Sequence, residues 1–272
     1  MLSLLTKIDD QIIDARPFHA DRVGLVARTR AFLAPTLASI REARAANAEP
    51  RCALGAALGR SLRALAADEG RLDRVLATIA AGWEVQVEAV RVLTSAPDEV
   101  SRAEVAQVTR SISGVWLLMI ARIGELPADA RRPFTADEER SFYDWGWAIQ
   151  RVDALADLAK DLGDGHLATW PGMLLWERAP AAYLDAATRG DAGALHALLR
   201  AHGVERACMP DANEAAQLAA SLPELGDVRA LLAFIHEYLH GRWLAHPLHA
   251  AAPVPVAAAR LFPTKERSCS AR

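Results

Sequence analysis

The stretch "WAIQRVDALADLAKDLGDGHLATWP", residues 147–171, decides how the rest of the chain is read. Asp153, Asp157 and Asp161 stand at i, i+4 and i+8, and Gln150 precedes the first by three residues. On a helix these side chains form one stripe. Like charges four residues apart cost a helix a few tenths of a kcal/mol per pair. The stripe is therefore not there for helix stability. An exposed structural helix would alternate such positions with Lys or Arg, whereas here each step along the stripe meets another Asp. Leu155, Leu158, Ala154 and Ala156 surround it. Stacked carboxylates among apolar neighbours suit a hard divalent cation, and Mg²⁺ is held by one or two carboxylates, waters and substrate phosphate oxygens. A solvated acidic face is the plainer reading of the same stripe.

A second acidic step lies near the start of the chain. "KIDDQIID" (7–14) places Asp10 and Asp14 at i, i+4 with Asp9 beside them. Two helices carrying such steps can face one another across a helical bundle, where paired metal sites are built. The chain between them reads as helical throughout. Ala, Leu and Arg dominate, all strong helix formers, and no hairpin signal appears. Expected helices are 2–15, 19–46, 51–68, 70–94, 98–124, 135–163, 179–188, 191–202, 211–221 and 226–245. Pro35 is expected to kink or split the second. "TADE" (135–138) reads as a capping box of Thr135 and Glu138 at the head of a helix about 40 Å long. The expectation is one all-α domain over 1–260 and a loose tail over 261–272.

Composition narrows the function. With 272 residues, 52% hydrophobic and 24% charged, the chain can bury a full core. A net charge of −3 gives no reason to expect nucleic acid as a partner. The three cysteines, Cys52, Cys208 and Cys269, are scattered and odd in number, which fits a reducing cytoplasm. No apolar run approaches the ~20 residues of a membrane span. The first residues are too short an apolar run for a signal peptide, and "CSAR" lacks the aliphatic pair of a prenylation box.

The acidic constellation resembles the class I isoprenoid synthases, and most closely their squalene/phytoene synthase branch. That branch carries a motif Q-x-x-N-I-x-R-D-x-x-x-D-x-x-x-G-R-x-Y-x-P. Gln150, Asp157, Asp161 and Gly165 match it in register, and Pro171 matches after one extra residue. Upstream, "RSISGVWLLMIARIG" (110–124) is similar to the family's R-V-A-G-x-V-G-x-x-M-A helix, with Gly114 and Met119 as the clearest matches. The resemblance covers roughly residues 5–175.

The resemblance implies a bundle around a central apolar cavity and a prenyl diphosphate substrate. It implies Mg²⁺, three ions in all, held by Asp9, Asp10, Asp14, Asp153, Asp157 and Asp161. Asp10, Asp14, Asp157 and Asp161 take the catalytic positions, and Gln150, Gly114, Trp116 and Lys160 the substrate-binding ones. Arg22 and Arg122 are further candidates, beside Lys160, for the diphosphate clamp. Trp116, Trp145, Trp147 and Phe142 stand on helices expected to line the cavity, with core packing as the plain alternative for each. Asp153 replaces the family's Asn, which makes the motif similar to that of the large-terpene synthases. His166 replaces an Arg, and only eight residues precede Asp9. These departures point to cyclisation or elimination from one prenyl diphosphate, with head-to-head coupling of two as the alternative. Upstream helices missing from this chain would come from a homodimer or a partner subunit. A synthase-like scaffold that binds without catalysis is a third reading.

A different chemistry is suggested by "HEYLHGRWLAH" (236–246). His236, His240 and His246 have the spacing of a three-histidine zinc site, with Glu237 in the position of a peptidase's general base. The position three after His240, where such a site needs Gly to turn the chain, is Trp243, and all four methionines precede the motif. The plainer reading is an amphipathic helix with two histidines on a shared face.

Overall fold

The computed structural model describes residues 24–129 and 132–245, together with Leu2, Leu5, Ile12 and Ile13. Every regular element among the described residues is helical. In chain order these are α1 (Leu25–Glu42), α2 (Pro50–Leu65), α3 (Glu69–Leu93), α4 (Arg102–Ile123), α5 (Ala136–Asp164), α6 (Trp170–Arg178), α7 (Pro180–Arg189), α8 (Ala192–Ala201), α9 (Val204–Cys208), α10 (Ala212–Ala220) and α11 (Gly226–Leu244). The expected all-α class is what the described residues show. Of the helix expected at 2–15 only Leu2, Leu5, Ile12 and Ile13 are described, all helical; the rest of it, the part of the second expected helix before residue 24 and the tail at 261–272 lie outside the described residues.

The chain gathers into two compact units. The first takes its described residues from Met1–Thr94 and Gln107–Trp147, the second from Ser95–Ala106 and Ala148–Arg272. The division falls within α4 and within α5.

In the first unit α1 packs against α2 and α3. The approach of α1 and α2 depends on missing side chains. A Cβ on Gly55 would come 3.1 Å from the Thr36 carbonyl oxygen, and one on Gly59 would collide with the Ile40 carbonyl. Ile40, Leu58, Leu62, Val75 and Ile79 fill the core beside this contact. Pro35 does not split α1, which runs unbroken from Leu25 to Glu42. One turn on, the Ser39 hydroxyl donates to the Pro35 carbonyl at 2.7 Å. A second close crossing joins α4 to α5. A Cβ on Gly114 would sit 2.8 Å from the Tyr143 Cα, and one on Gly146 would overlap the Gly114 backbone.

The start of α5 carries the expected capping box. The Glu138 carboxylate accepts from the Thr135 amide at 2.8 Å, and the Glu138 amide donates back to the Thr135 hydroxyl at 3.3 Å. Arg132, 2.8 Å away, and these Thr135 bonds hold the Glu138 carboxyl down to about 2. In the second unit α6, α7, α8 and α9 pack on one another. Met173, Leu174, Leu175, Tyr183, Leu195 and Leu199 are buried there. The helix α6 was not expected. Thr169 caps it by accepting from Gly172, with Pro171 in its first turn.

The glycines separate two effects of one substitution. Gly59→Ala should lower the urea midpoint, because overpacking against backbone costs about 1–3 kcal/mol and exceeds the ~1 kcal/mol of helix propensity gained. Gly163→Ala, on α5 with nothing within 4 Å of the added carbon, should raise the stability by up to about 1 kcal/mol, read as a higher midpoint.

Candidate functional site

The half of α5 in the second unit, from Ala148 to Asp164, carries the aspartate stripe. Val152, Leu155, Leu158 and Leu162 are buried, and this apolar side sets the helix's rotation. Asp153, Asp157 and Asp161 fall at its margin and are half-buried, as is Gln150. α5 ends in a Schellman turn. The His166 amide donates to the Asp161 carbonyl at 2.8 Å, and the Gly165 amide to Leu162 at 3.1 Å. Gly165 has φ +94°, so the glycine that matches the family motif also has a local backbone reason. His166, where the family keeps Arg, is buried.

A cation from the last helix spans the stripe. Arg242 of α11 lies 3.3 Å from the Asp157 Oδ1 and 3.8 Å from the Asp153 Oδ1. Each of these two Asp side chains keeps 33% of its exposure, so the contact is partly screened and weakly stabilising. Arg242 is aimed there by its neighbour. Trp243 is 1% exposed, its indole donates to the Glu205 carboxylate at 2.9 Å, and its ring stacks on His196 at 4.5 Å. Trp243, Leu239 and Leu232 form the buried side of α11.

Phe234, Tyr238 and Arg242 follow one another at i, i+4 and i+8 on a different side. Phe234 and Tyr238 are exposed and stack at 6.4 Å between ring centres. α5 is also tied to α10. The buried Arg151 guanidinium donates to Glu214 at 2.6 Å, with side-chain exposures of 7% and 25%.

Other residues expected at the site lie in plainer settings. Lys160 is exposed and pairs with Asp164 at 2.9 Å. Trp116, in the first unit, packs edge-on against Trp83 at 5.7 Å beside the core. Gly114 is the crossing point of α4 and α5. Arg122 pairs with Glu139. Trp145 and Phe142 are buried, and Trp147 is half-buried. Asp9, Asp10, Asp14 and Arg22 lie outside the described residues, so the expected pairing of two acidic steps does too.

Among the described residues no three His, Cys, Asp or Glu side chains gather as a metal-binding group. The stripe fits Mg²⁺ in donor chemistry, being hard carboxylate oxygen throughout. One guanidinium contact does not exhaust the roughly four lone-pair sites of a carboxylate.

The histidine motif sits on α11. His236 and His240 are half-buried and Glu237 is exposed. The helix continues to Leu244 without the turn that would follow His240 in a three-histidine site. His246 lies outside the described residues. Burial, then the neighbouring His240, then Arg151 lower the His236 pKa, against weaker opposite pulls from Glu237 and Glu214.

No family model, curated protein or solved structure matches the chain. No helix among the described residues is long and apolar enough to cross a membrane.

The Arg151–Glu214 pair gives a test of what holds α5 to α10. Glu214→Ala takes away the carboxylate that offsets a buried guanidinium and should cost about 3 kcal/mol. Arg151→Met combined with Glu214→Leu should recover most of that loss. A double-mutant cycle in urea checks both.

Proposed function

We propose that this chain is a Mg²⁺-dependent class I isoprenoid synthase that ionises one allylic prenyl diphosphate and then cyclises or eliminates. The proposal includes that family's bundle with a central apolar cavity, and a cytoplasmic location. The carrying observation is the juxtaposition of α5 and α11. Half-buried carboxylates on successive turns meet a guanidinium, and that guanidinium ends a line of exposed aromatic rings. A prenyl diphosphate has the same polarity, with an anionic head and a long apolar tail.

Asp153, Asp157 and Asp161 would hold Mg²⁺ on this side, with Asp9, Asp10 and Asp14 as the second set. Bound there, Mg²⁺ supplies Lewis-acid stabilisation of the leaving diphosphate. The carbon–oxygen bond breaks with both electrons going to the diphosphate, which leaves an allylic cation. The planar donor fork of Arg242 suits the diphosphate oxygens, and the contact exchanges one anionic partner for another. Phe234 and Tyr238 offer ring faces to the cation and tail, worth about 0.5–2 kcal/mol each. A non-catalytic scaffold is the second reading. The Arg242 contacts favour it, since they offset the charge of two carboxylates within the chain.

Incubating the full chain with Mg²⁺ and farnesyl or geranylgeranyl diphosphate, then weighing the product, tests the proposal. The expected product is a hydrocarbon or alcohol with the carbon count of one substrate. Twice that count would return the chain to head-to-head coupling, and no diphosphate release would leave the scaffold. Asp157→Asn and Asp14→Asn should each abolish turnover. Arg242→Gln should slow it about tenfold or more, the size of a lost charge-assisted hydrogen bond. His236→Ala should leave it nearly unchanged.

A further inference from the structure

The synthase reading makes no use of the two histidines of α11. We infer that His236 and His240 form a two-histidine site for a borderline divalent ion of the Zn²⁺, Ni²⁺ or Cu²⁺ type, separate from the aspartate stripe. They stand one helical turn apart, the spacing at which two imidazoles on a helix share one metal ion.

A second observation points to a ligand. The His236 Nε2 is buried and has no hydrogen-bond partner. A buried polar atom of this kind calls for a specific explanation, and a bound ion is one. Burial, and next the neighbouring His240, lower the His236 pKa.

The charges facing His236 are those of His240, Arg151, Glu237 and Glu214. Arg151 would oppose a cation, but it is held by Glu214 at 2.6 Å. Nitrogen donors select against Mg²⁺, which prefers oxygen, and toward the later first-row metals. Waters would fill the remaining positions. The site would clip one turn of α11 near its end and stabilise the helix that carries Trp243 and Arg242.

Metal titration of the untagged full chain tests this, followed by calorimetry. One equivalent of Cu²⁺ should bind more tightly than Ni²⁺ or Zn²⁺, with millimolar Mg²⁺ failing to compete. His236→Gln and His240→Gln should each weaken binding by about tenfold or more, as loss of a ligand does. His202→Gln should leave it unchanged. Circular dichroism checks that each variant is folded. If His236→Gln does not fold, His240→Gln on the half-exposed side decides alone. Wild-type affinity no better than that of the folded variants would overturn the site. This result is independent of turnover on prenyl diphosphates, so it stands or falls apart from the synthase reading.

Discussion

The arrangement of the second unit turns on charge carried by α5 at the edge of its apolar side. Arg151, Asp153 and Asp157 fall within two turns, next to Val152, Leu155 and Leu158, all buried. Charge in such surroundings must be matched or it destabilises the fold. Two helices from far along the chain supply the match, Glu214 of α10 and Arg242 of α11. The rotation of α11 follows from Trp243, the residue that enters the core. Arg242 precedes it by one residue and is turned about 100° away, toward the aspartates. His236 precedes it by seven, close to two turns, and so comes back to nearly the same side. The half-burial of His236 and the reach of Arg242 are two consequences of one anchored tryptophan.

The residues behind the isoprenoid synthase resemblance divide by what the fold asks of them. Gly114 is where α4 and α5 cross, and any larger residue would meet Tyr143. Gly165 ends α5 with a positive φ. Both are explained by backbone geometry alone and say little about chemistry. The aspartates have no such explanation. Like charges at successive turns work against the helix that carries them, and the Arg242 guanidinium meets two of the three.

Most helices were legible because their ends carry local signals. Asp68, Thr135, Asp191 and Asp211 stand just before α3, α5, α8 and α10, and each accepts a hydrogen bond from the first turn. α6 is not among the expected helices, although Thr169 followed by Pro171 is a start signal of the same kind, because Pro171 reads there as a match to the family motif. α9 is five residues long and has no periodicity to detect. Pro35 does not split α1. It sits inside α1, whose close packing on α2 outweighs the lost hydrogen bond.

The site was legible where it is local and illegible where it is not. The stripe is a matter of spacing along one helix. The Arg242 contact joins residues 85 positions apart, and no spacing rule reaches that far. Trp243 entered the sequence reading only as the residue that spoils a zinc-site turn. Its role as an anchor depends on His196 and Glu205, which sequence proximity does not connect to it.

The aromatic line on α11 separates a structural account of Arg242 from a functional one. If Arg242 served only to offset Asp153 and Asp157, the residues one and two turns before it would be free to be polar. They are Tyr238 and Phe234, 59% and 64% exposed. Exposed apolar surface forgoes about 25 cal/mol per Å² of burial, and two stacked rings beside Leu231, itself 55% exposed, form a patch rather than a scatter of single residues. A contiguous apolar strip that ends at a cation on an acidic stripe is what an amphiphile with an anionic head would require. Charge compensation explains one end of that strip, and the proposed prenyl diphosphate would account for both.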